Sequence, residues 1–203
     1  NNAFHSKSSH RKGVVLVFEC MKKSDLDKII EFFRVAGLLK RVPRSGWVKV
    51  GVDSPESIAD HTFRTAILCM IFSDLEDLDG LKMLQMALLH DLPEAIIGDL
   101  TPSERTEEAA EKEGAAMKHL LSLLPERLRQ RYLRLWFEYR ECKTKEAKAV
   151  RELEKLEMAL QAKEYEKVQP SLRGLRRFVE SADMAIKSPE VRRLFYCVSD
   201  SDR

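Results

Sequence analysis

Long apolar runs, glycine, proline and cysteine are all scarce in this chain of 203 residues. The longest uninterrupted apolar run is the seven-residue segment 66–72, far short of the roughly 20 residues that a membrane-spanning helix needs. Eight glycines and seven prolines are too few for a strand-rich fold with many tight turns or for a collagen-like chain. The four cysteines form no CxxC pair, which predicts reduced thiols in an intracellular protein and no catalytic cysteine.

An excess of charge of one sign is also nearly absent. The chain has 35 lysines and arginines against 33 aspartates and glutamates, a net charge of +2. Residues 1–20 account for this whole excess, so residues 21–203 sum to zero. A neutral body disfavours a protein that binds nucleic acid through bulk positive charge. Any attraction for a phosphate must therefore come from a few local charges.

The first 20 residues show no helical or alternating pattern. We interpret residues 1–20 as a leader remnant, an added extension or a loose N-terminal arm, and we expect them to be disordered. Their apolar stretch VVLVF is too short for a secretory signal. The remaining residues, 21–203, are predicted to form one domain. The predicted location is the cytoplasm, and organellar targeting by residues 1–20 is the alternative.

Helical periodicity dominates the chain from Ser24 onward. Hydrophobic residues make up 44% of the chain, enough for a core, and no segment alternates over the length of a sheet strand. The segment 41–55, rich in glycine, proline and arginine, is predicted as a loop. The pattern predicts one compact all-α helical bundle. Its helices are predicted to begin near Ser24, Ser54, Gly80, Pro102, Pro125, Thr144, Ser171 and Pro189.

Imidazoles and carboxylates occupy helix positions that should be buried. His61 interrupts the apolar face of the second predicted helix, and His90 and Asp91 follow the apolar run of the third. Buried polar side chains need partners, and such groups converging between helices would suit a divalent metal ion. Glu94 lies four residues after His90, and Asp99 stands where that helix ends. The sequence therefore predicts a metal site between packed helices.

The order and spacing of these residues are similar to those of a known family. Three separated segments carry the pattern: Glu56-Ser57-x3-His61, His90-Asp91-Leu92-Pro93-Glu94 and Gly98-Asp99-Leu100-Thr101-Pro102. They resemble the HD-domain phosphohydrolases, and most of all the YfbR-like 5′-deoxynucleotidases with their eukaryotic branch, the HD-domain-containing protein 2 family. The resemblance spans roughly residues 25–165 and includes the loop 39–48 and the helix segment 156–165.

This resemblance implies a site for one divalent metal ion (Mn, Co, Mg or Fe). In the family two histidines and two aspartates hold the ion, and three of these match His61, His90 and Asp91. The fourth aspartate falls on Glu154, which is a departure from the pattern. Because glutamate is one methylene longer, Glu154 reaches the ion only if its rotamer or the backbone adjusts.

The resemblance also implies the roles of four further residues. Glu94 and Asp99 match the catalytic acidic residues, and Arg44 matches an arginine that contacts the substrate phosphate. Trp47 matches a tryptophan that could stack on the nucleoside or shape its pocket. The implied reaction is hydrolysis of a ribo- or deoxyribonucleoside 5′-monophosphate to nucleoside and phosphate. No nucleic acid or membrane partner is expected. Since the family is commonly dimeric, a homodimer is predicted, with the apolar stripes of the fourth and fifth predicted helices as candidate interfaces.

Two alternatives remain at this point. One is an HD hydrolase that acts on another nucleotide, such as a triphosphate, a cyclic nucleotide or a guanosine polyphosphate. The other is a nucleotide-sensing helical protein whose catalysis is weakened by Glu154.

Overall fold

A computed structural model describes residues 21–101 and 104–199. The predicted N-terminal arm, residues 1–20, lies outside the described residues, as does the predicted helix start at Pro102. The described elements are helical, apart from one isolated antiparallel bridge between Pro43 and Ser57. The predicted all-α fold is confirmed. In chain order the elements are α1 (Lys23–Ala36), a 3₁₀ helix (Gly37–Arg41), α2 (Ser45–Val50), α3 (Ile58–Leu75), α4 (Gly80–Leu89), α5 (Glu94–Ile97), α6 (Glu107–Ser122), α7 (Glu126–Glu141), α8 (Lys145–Val168), α9 (Arg176–Ala185) and α10 (Pro189–Ser199).

Helix α3 begins later than the sequence predicts. Its N-cap is Ser57, whose hydroxyl accepts a hydrogen bond from the Asp60 amide, while the Asp60 carboxylate accepts one from the Ser57 amide. This capping box satisfies two backbone donors at once and sets the start of the helix after Ser57. The segment 41–55 is not wholly a loop either, because it contains helix α2, which ends at Gly51 with a left-handed φ of 84°.

Helix α8 is the centre of the bundle. It packs against α3, α4, α7, α9 and α10. Its buried face contributes Leu153, Leu156 and Ala159 to a core that also contains Met83 and Met86 of α4. A second apolar cluster joins α6 and α7 to the 3₁₀ helix and to the start of α3. The antiparallel neighbours α3 and α4 lie side by side over this framework, and together they carry the two predicted histidines.

The homodimer through the fourth and fifth predicted helices stays a prediction. The apolar side chains of the corresponding α6 and α7, such as Met117, Leu120 and Trp136, are buried within the chain's own core. An exposed apolar stripe instead runs along α3, where residues at helical spacing leave their side chains uncovered. Its members are Phe63, Ile67, Met70, Ile71 and Leu75. Among the described helices, none is long and apolar enough to cross a membrane.

Three of the four cysteines lie in the described residues, and all three are free thiols: Cys69, Cys142 and Cys197. Burial, together with the nearby charge of Glu154, raises the pKa of the Cys69 thiol to about 12. Cys69 is therefore held as an inert thiol in the core, as the sequence predicts.

Candidate metal centre and active-site cleft

Two histidines and an aspartate meet where α3 and the end of α4 pack together. His61 lies in the first turn of α3, His90 is the C-cap of α4, and Asp91 follows it; all three are buried. The Nε2 atoms of the two imidazoles are 3.4 Å apart. The Asp91 Oδ2 atom lies 3.0 Å from His90 Nε2 and 3.8 Å from His61 Nε2. These donor atoms all lie within 4.8 Å of one another.

The hydrogen bonds of the two imidazoles leave both Nε2 atoms as ligand atoms. His61 Nδ1 bonds to a carboxylate oxygen of Glu157, and His90 Nδ1 donates to the Ala87 carbonyl at 2.6 Å. When both rings are neutral with the hydrogen on Nδ1, two Nε2 lone pairs and one Asp91 oxygen face the same point. Such a group of buried acceptors needs a cation, and imidazole with carboxylate suits Mn, Fe, Co or Zn. The residues present therefore fit the divalent ion that the sequence implies.

The charges around the cluster keep Asp91 ionised and His61 neutral. Burial alone would raise the pKa of Asp91, but the His90 imidazole, the Arg44 guanidinium and His61 outweigh it and hold the pKa well below its usual range. Burial and the positive charge of Arg44 lower the pKa of His61. The pKa of His90 is raised, because the charge and hydrogen bond of Asp91 outweigh its burial.

Arg44 reaches this cluster from the segment between the 3₁₀ helix and α2. Its Nη1 lies 3.2 Å from Asp91 Oδ2, and both side chains are nearly buried. The Arg44 amide donates to the Glu56 carbonyl at 3.0 Å, and the Ile58 amide donates to the Val42 carbonyl at 2.9 Å. These two backbone bonds tie the arginine's segment to the start of α3. Arg44 is thus held in a fixed position relative to His61, which lies in the first turn of α3.

Trp47 is a wall of the cleft and a core residue. Its side chain is buried, with a residue exposure of 2%, and its Nε1 donates to Glu56 at 2.9 Å. The indole ring packs against Tyr165 and Phe178, with centroids 5.3 and 4.1 Å away. This burial suits the pocket-shaping role and leaves little of the ring available to stack on a base. Burial and the charge of Glu157 raise the pKa of Glu56 to about 7.

Glu94 is the first residue of α5 and is aimed into the cleft beside the cluster. It is 4% exposed, and its Oε2 atom has no hydrogen-bond partner among the described residues. Its Oε1 atom lies 3.9 Å from an Arg105 nitrogen. Burial and the negative charges of Asp91 and Asp99 raise the pKa of Glu94 to about 10. These causes favour the protonated form of the carboxyl group in the metal-free chain.

Asp99 holds the start of α2 in place through Ser45. Its Oδ2 accepts a hydrogen bond of 2.5 Å from the Ser45 amide, and its carbonyl accepts one of 2.9 Å from the Ser45 hydroxyl. Asp99 follows Gly98, whose φ of 78° ends α5 where the sequence predicts a stop. Through Ser45 it caps the first turn of α2 and so positions the neighbouring Arg44.

Glu154, the residue predicted as the fourth ligand, faces the same cleft from α8. Its Oε2 accepts a hydrogen bond of 2.6 Å from the Tyr139 hydroxyl, and its Oε1 lies 3.0 Å from Lys155 Nζ. Burial alone would raise its pKa, but the Lys155 ammonium, the neighbouring imidazoles of His90 and His61 and the Tyr139 hydrogen bond outweigh burial and hold the pKa well below its usual range. Within residues 21–101 and 104–199, the cluster of mutually close donor atoms contains His61, His90 and Asp91 but not Glu154. Glu154 is thus a charged neighbour of the cluster in this conformation.

Comparison with known proteins decides the family. The model of the HD domain family matches residues 36–190, most of the chain. The chain belongs to the HD domain family. It is 41% identical over 168 residues to the 5'-deoxynucleotidase HDDC2 of Xenopus laevis, a match that covers 82% of this chain and 83% of that protein. The Homo sapiens 5'-deoxynucleotidase HDDC2 is 40% identical, with 82% of each covered.

A solved structure shares the fold of this chain. The crystal structure of the PH0347 protein from Pyrococcus horikoshii OT3 is 34% identical to this chain, with a TM-score of 0.71. The match covers 83% of this chain and 97% of that one. The fold shared with that protein therefore extends over most of this chain.

Two adjoining pockets of about 260 Å³ each open beside the histidine cluster of the HD domain. One contains His90, Asp91 and Glu94, and the other contains Arg44 and Trp47. The sequence analysis missed three side chains that line both pockets. They are Arg105, Tyr139 and Arg151. The guanidinium carbon of Arg151 lies 5.4 Å from the centre of the Tyr139 ring, within cation–π range. Arg105 precedes α6, Tyr139 lies on α7 and Arg151 lies on α8, so the packing of the helices and no local sequence pattern brings these side chains into one cleft.

Proposed function

We propose that this chain is a metal-dependent 5′-deoxynucleotidase, which hydrolyses deoxyribonucleoside 5′-monophosphates to nucleoside and phosphate. The observation that carries the proposal is the buried group of His61, His90 and Asp91 with Arg44 at its side. The names of the Xenopus and human relatives, both called 5'-deoxynucleotidases, support it. The neutral body of the chain is in keeping with a small anionic substrate recognised by local charges.

His61, His90 and Asp91 would hold the divalent ion, with Glu154 able to complete the set. We propose one ion per chain, of Mn, Co, Mg or Fe. A divalent ion bound there supplies a Lewis acid that polarises the phosphoryl group and activates a water molecule near neutral pH. The protein's part is to keep three donors of the right type facing one point.

Arginines of the cleft bind and orient the phosphate in this proposal. Arg44 offers a planar guanidinium that can donate to two phosphate oxygens. The side chains of Arg105 and Arg151 line the same two pockets and add positive charge where the phosphate's negative charge increases. Asp99 keeps Arg44 in position through Ser45, and Trp47 forms the wall against which the nucleoside packs.

Glu94 is the proton donor of the proposed reaction. Attack by water forms a new oxygen–phosphorus bond and breaks the bond from phosphorus to the 5′ oxygen of the nucleoside. The leaving 5′ oxygen needs a proton, and the neutral Glu94 carboxyl beside the cluster is in the right protonation state to give it. The proton lost by the attacking water restores the neutral carboxyl.

The proposed enzyme is a homodimer in which the exposed stripe of α3 is the interface. Five large apolar side chains on one helix face, from Phe63 to Leu75, form the kind of surface that a partner covers. Sedimentation of the purified protein as twice the mass of one chain would support this assembly. The predicted cytoplasmic location remains a prediction, in keeping with the free thiols of the described residues.

The proposal is tested with a panel of nucleotides. Purified protein is incubated with Mn²⁺ or Co²⁺ and with deoxyribonucleoside monophosphates, ribonucleoside monophosphates, triphosphates, a cyclic nucleotide and a guanosine polyphosphate. We expect the fastest phosphate release from the deoxyribonucleoside monophosphates. Faster hydrolysis of a triphosphate, cyclic nucleotide or polyphosphate would assign a different HD substrate, and no hydrolysis of any of them would favour the sensing alternative.

Glu154→Asp is expected to change Mn²⁺ affinity and activity together. The shorter carboxylate withdraws from Tyr139 and Lys155, which now hold both oxygens of Glu154. We expect active wild-type protein and a change of about 10-fold in the variant, at the low end of the 10–100-fold range by which such neighbouring contacts tune a site. Isothermal titration calorimetry with Mn²⁺ and phosphate-release assays measure both quantities. A wild type that is inactive until Glu154→Asp is introduced would support the nucleotide-sensing alternative.

A further inference from the structure

A fully buried carboxylate with no part in the proposed chemistry lies behind the metal cluster. Glu157 of α8 is 0% exposed, and a charged group is almost never buried so completely without specific partners. One of its oxygens bonds to His61 Nδ1, on the side of the ring away from the cluster. Its other oxygen accepts from Arg64, whose Nε and Nη2 atoms are 2.9 and 2.8 Å away.

The contacts of Glu157 continue outward to the protein surface. Arg64 lies three residues after His61 on α3, so both side chains face α8. Its Nη1 donates to both carboxylate oxygens of Glu164 at 2.8 Å, and its Nη2 donates to Gln161. The Glu164 side chain is 55% exposed. A line of charge-assisted bonds therefore runs from the surface to His61 and joins the two helices.

This arrangement selects one tautomer of His61. A carboxylate can only accept, so His61 Nδ1 must carry the hydrogen, and Nε2 must present its lone pair to the cluster. His90 reaches the same state through a backbone carbonyl, that of Ala87. The two imidazoles are thus oriented by unlike acceptors, and only the one on His61 can be altered by a side-chain substitution.

We propose that Glu157 is a positioning residue that holds His61 in the Nδ1–H tautomer and thereby strengthens metal binding, with Arg64 fixing Glu157. This inference rests on the proposed function, because it assumes that the cluster binds a divalent ion. Ligands of this kind are generally held by such a partner, whose loss typically weakens metal affinity by 10–100-fold.

A second metal site is the competing interpretation of the same residues. Donor atoms of Glu56, His61 and Glu157 also lie within 4.8 Å of one another. However, both oxygens of Glu157 already bond to His61 and Arg64, and Glu56 accepts from the Trp47 indole. A cation there would also lie close to the Arg64 guanidinium. The geometry therefore favours a support for one ion over a site for a second one.

The test measures Co²⁺ binding to metal-free protein by isothermal titration calorimetry and by the visible absorption of the bound ion. We expect one Co²⁺ per wild-type chain and 10–100-fold weaker binding to Glu157→Gln. The amide can turn its NH₂ group toward Nδ1, which allows the Nε2–H tautomer that blocks the ligand atom. Glu157→Asp should recover part of the affinity, because it restores an acceptor. Glu166→Gln, at a half-exposed position on α8 that pairs with Lys163, is the matched control and should bind Co²⁺ like the wild type.

A spectroscopic readout separates positioning from folding. Nitrogen-15 NMR of metal-free wild type should show His61 as the Nδ1–H tautomer, and Glu157→Gln should lose that signature while far-ultraviolet circular dichroism stays unchanged. If Glu157→Gln does not fold, Arg64→Lys, which keeps the charge but loses the planar contact, should still weaken Co²⁺ binding by several-fold. Unchanged Co²⁺ affinity in folded Glu157→Gln, an Nε2–H tautomer in the wild type, or two Co²⁺ per chain would each overturn the proposal.

The outcome is independent of the substrate. If the protein hydrolyses no nucleotide but binds Co²⁺ more weakly after Glu157→Gln, the proposed function is wrong and the positioning role of Glu157 is supported. Active protein whose Co²⁺ affinity is unchanged by Glu157→Gln would support the proposed function and overturn this inference.

Discussion

Asp91→Asn is expected to lower phosphate release from a deoxyribonucleoside monophosphate by about 10³-fold or more, which corresponds to roughly 4 kcal/mol of transition-state stabilisation. Asp91 Oδ2 is the one oxygen that faces both Nε2 atoms and the Arg44 guanidinium. An amide at this position removes the negative charge that a divalent ion needs and leaves Arg44 without its nearest carboxylate. Steady-state kinetics with saturating Mn²⁺, together with calorimetric Mn²⁺ binding, measure the two losses.

The control for this substitution is Asp74→Asn. Asp74 is an exposed residue near the C-terminal end of α3, far along the helix from His61, and we expect its variant to keep the wild-type rate. Circular dichroism establishes that Asp91→Asn is folded. A folded Asp91→Asn protein that retains more than a tenth of the wild-type rate would show that the cluster is not the reaction centre.

The course of the chain around this cluster could be predicted where local signals agree. The helix predicted to begin near Gly80 and to end at Asp99 is found as α4 and α5, which stop at Gly98, a glycine with positive φ. Helix α2 could not be predicted, because six residues with an internal glycine have no helical periodicity to detect. Tertiary contacts hold α2 instead. The Asp99 carboxylate accepts a hydrogen bond from the Ser45 amide, and the Trp47 ring is buried against Phe178.

The same division applies to the site. His61 and His90 stand out in the sequence because a polar ring interrupts an apolar face, and the structure places their Nε2 atoms 3.4 Å apart. Tyr139, by contrast, is an ordinary member of an amphipathic helix, and its place in the cleft depends on how α7 packs against α8. Likewise Glu157 becomes notable only once Arg64 and His61 are seen on either side of it.

Glu94→Gln is the second substitution with a large expected effect, and it acts on proton transfer. The amide has nearly the shape of the protonated carboxyl but cannot release a proton to the leaving 5′ oxygen. We expect the turnover rate to fall by about 10²–10⁴-fold, the usual contribution of a general acid, with little change in Mn²⁺ affinity. Glu111→Gln, an exposed carboxylate on α6, is the control and should keep the wild-type rate.

The stability of the metal-free protein gives this substitution a readout independent of activity. Glu94 has a pKa of about 10 in the folded chain and an ordinary value of 4.5 when unfolded, so between these values the folded state keeps a proton that the unfolded state releases. Ionisation of Glu94 therefore leaves the free energy of unfolding unchanged below about pH 4.5. As the pH rises toward 10, it lowers the free energy of unfolding progressively.

Glu94→Gln removes this pH-dependent cost while keeping the side chain's shape. Urea unfolding of the metal-free proteins should coincide at about pH 4, whereas at pH 8 the variant should be more stable by about 2 kcal/mol, less than the full shift implies because water can enter the cleft. Protein that is both less active and more stable above neutral pH would identify Glu94 as a buried acid kept for proton transfer. Equal or lower stability of the variant at pH 8 would mean that Glu94 is ionised in the folded chain, and the assignment of a proton donor would then fail.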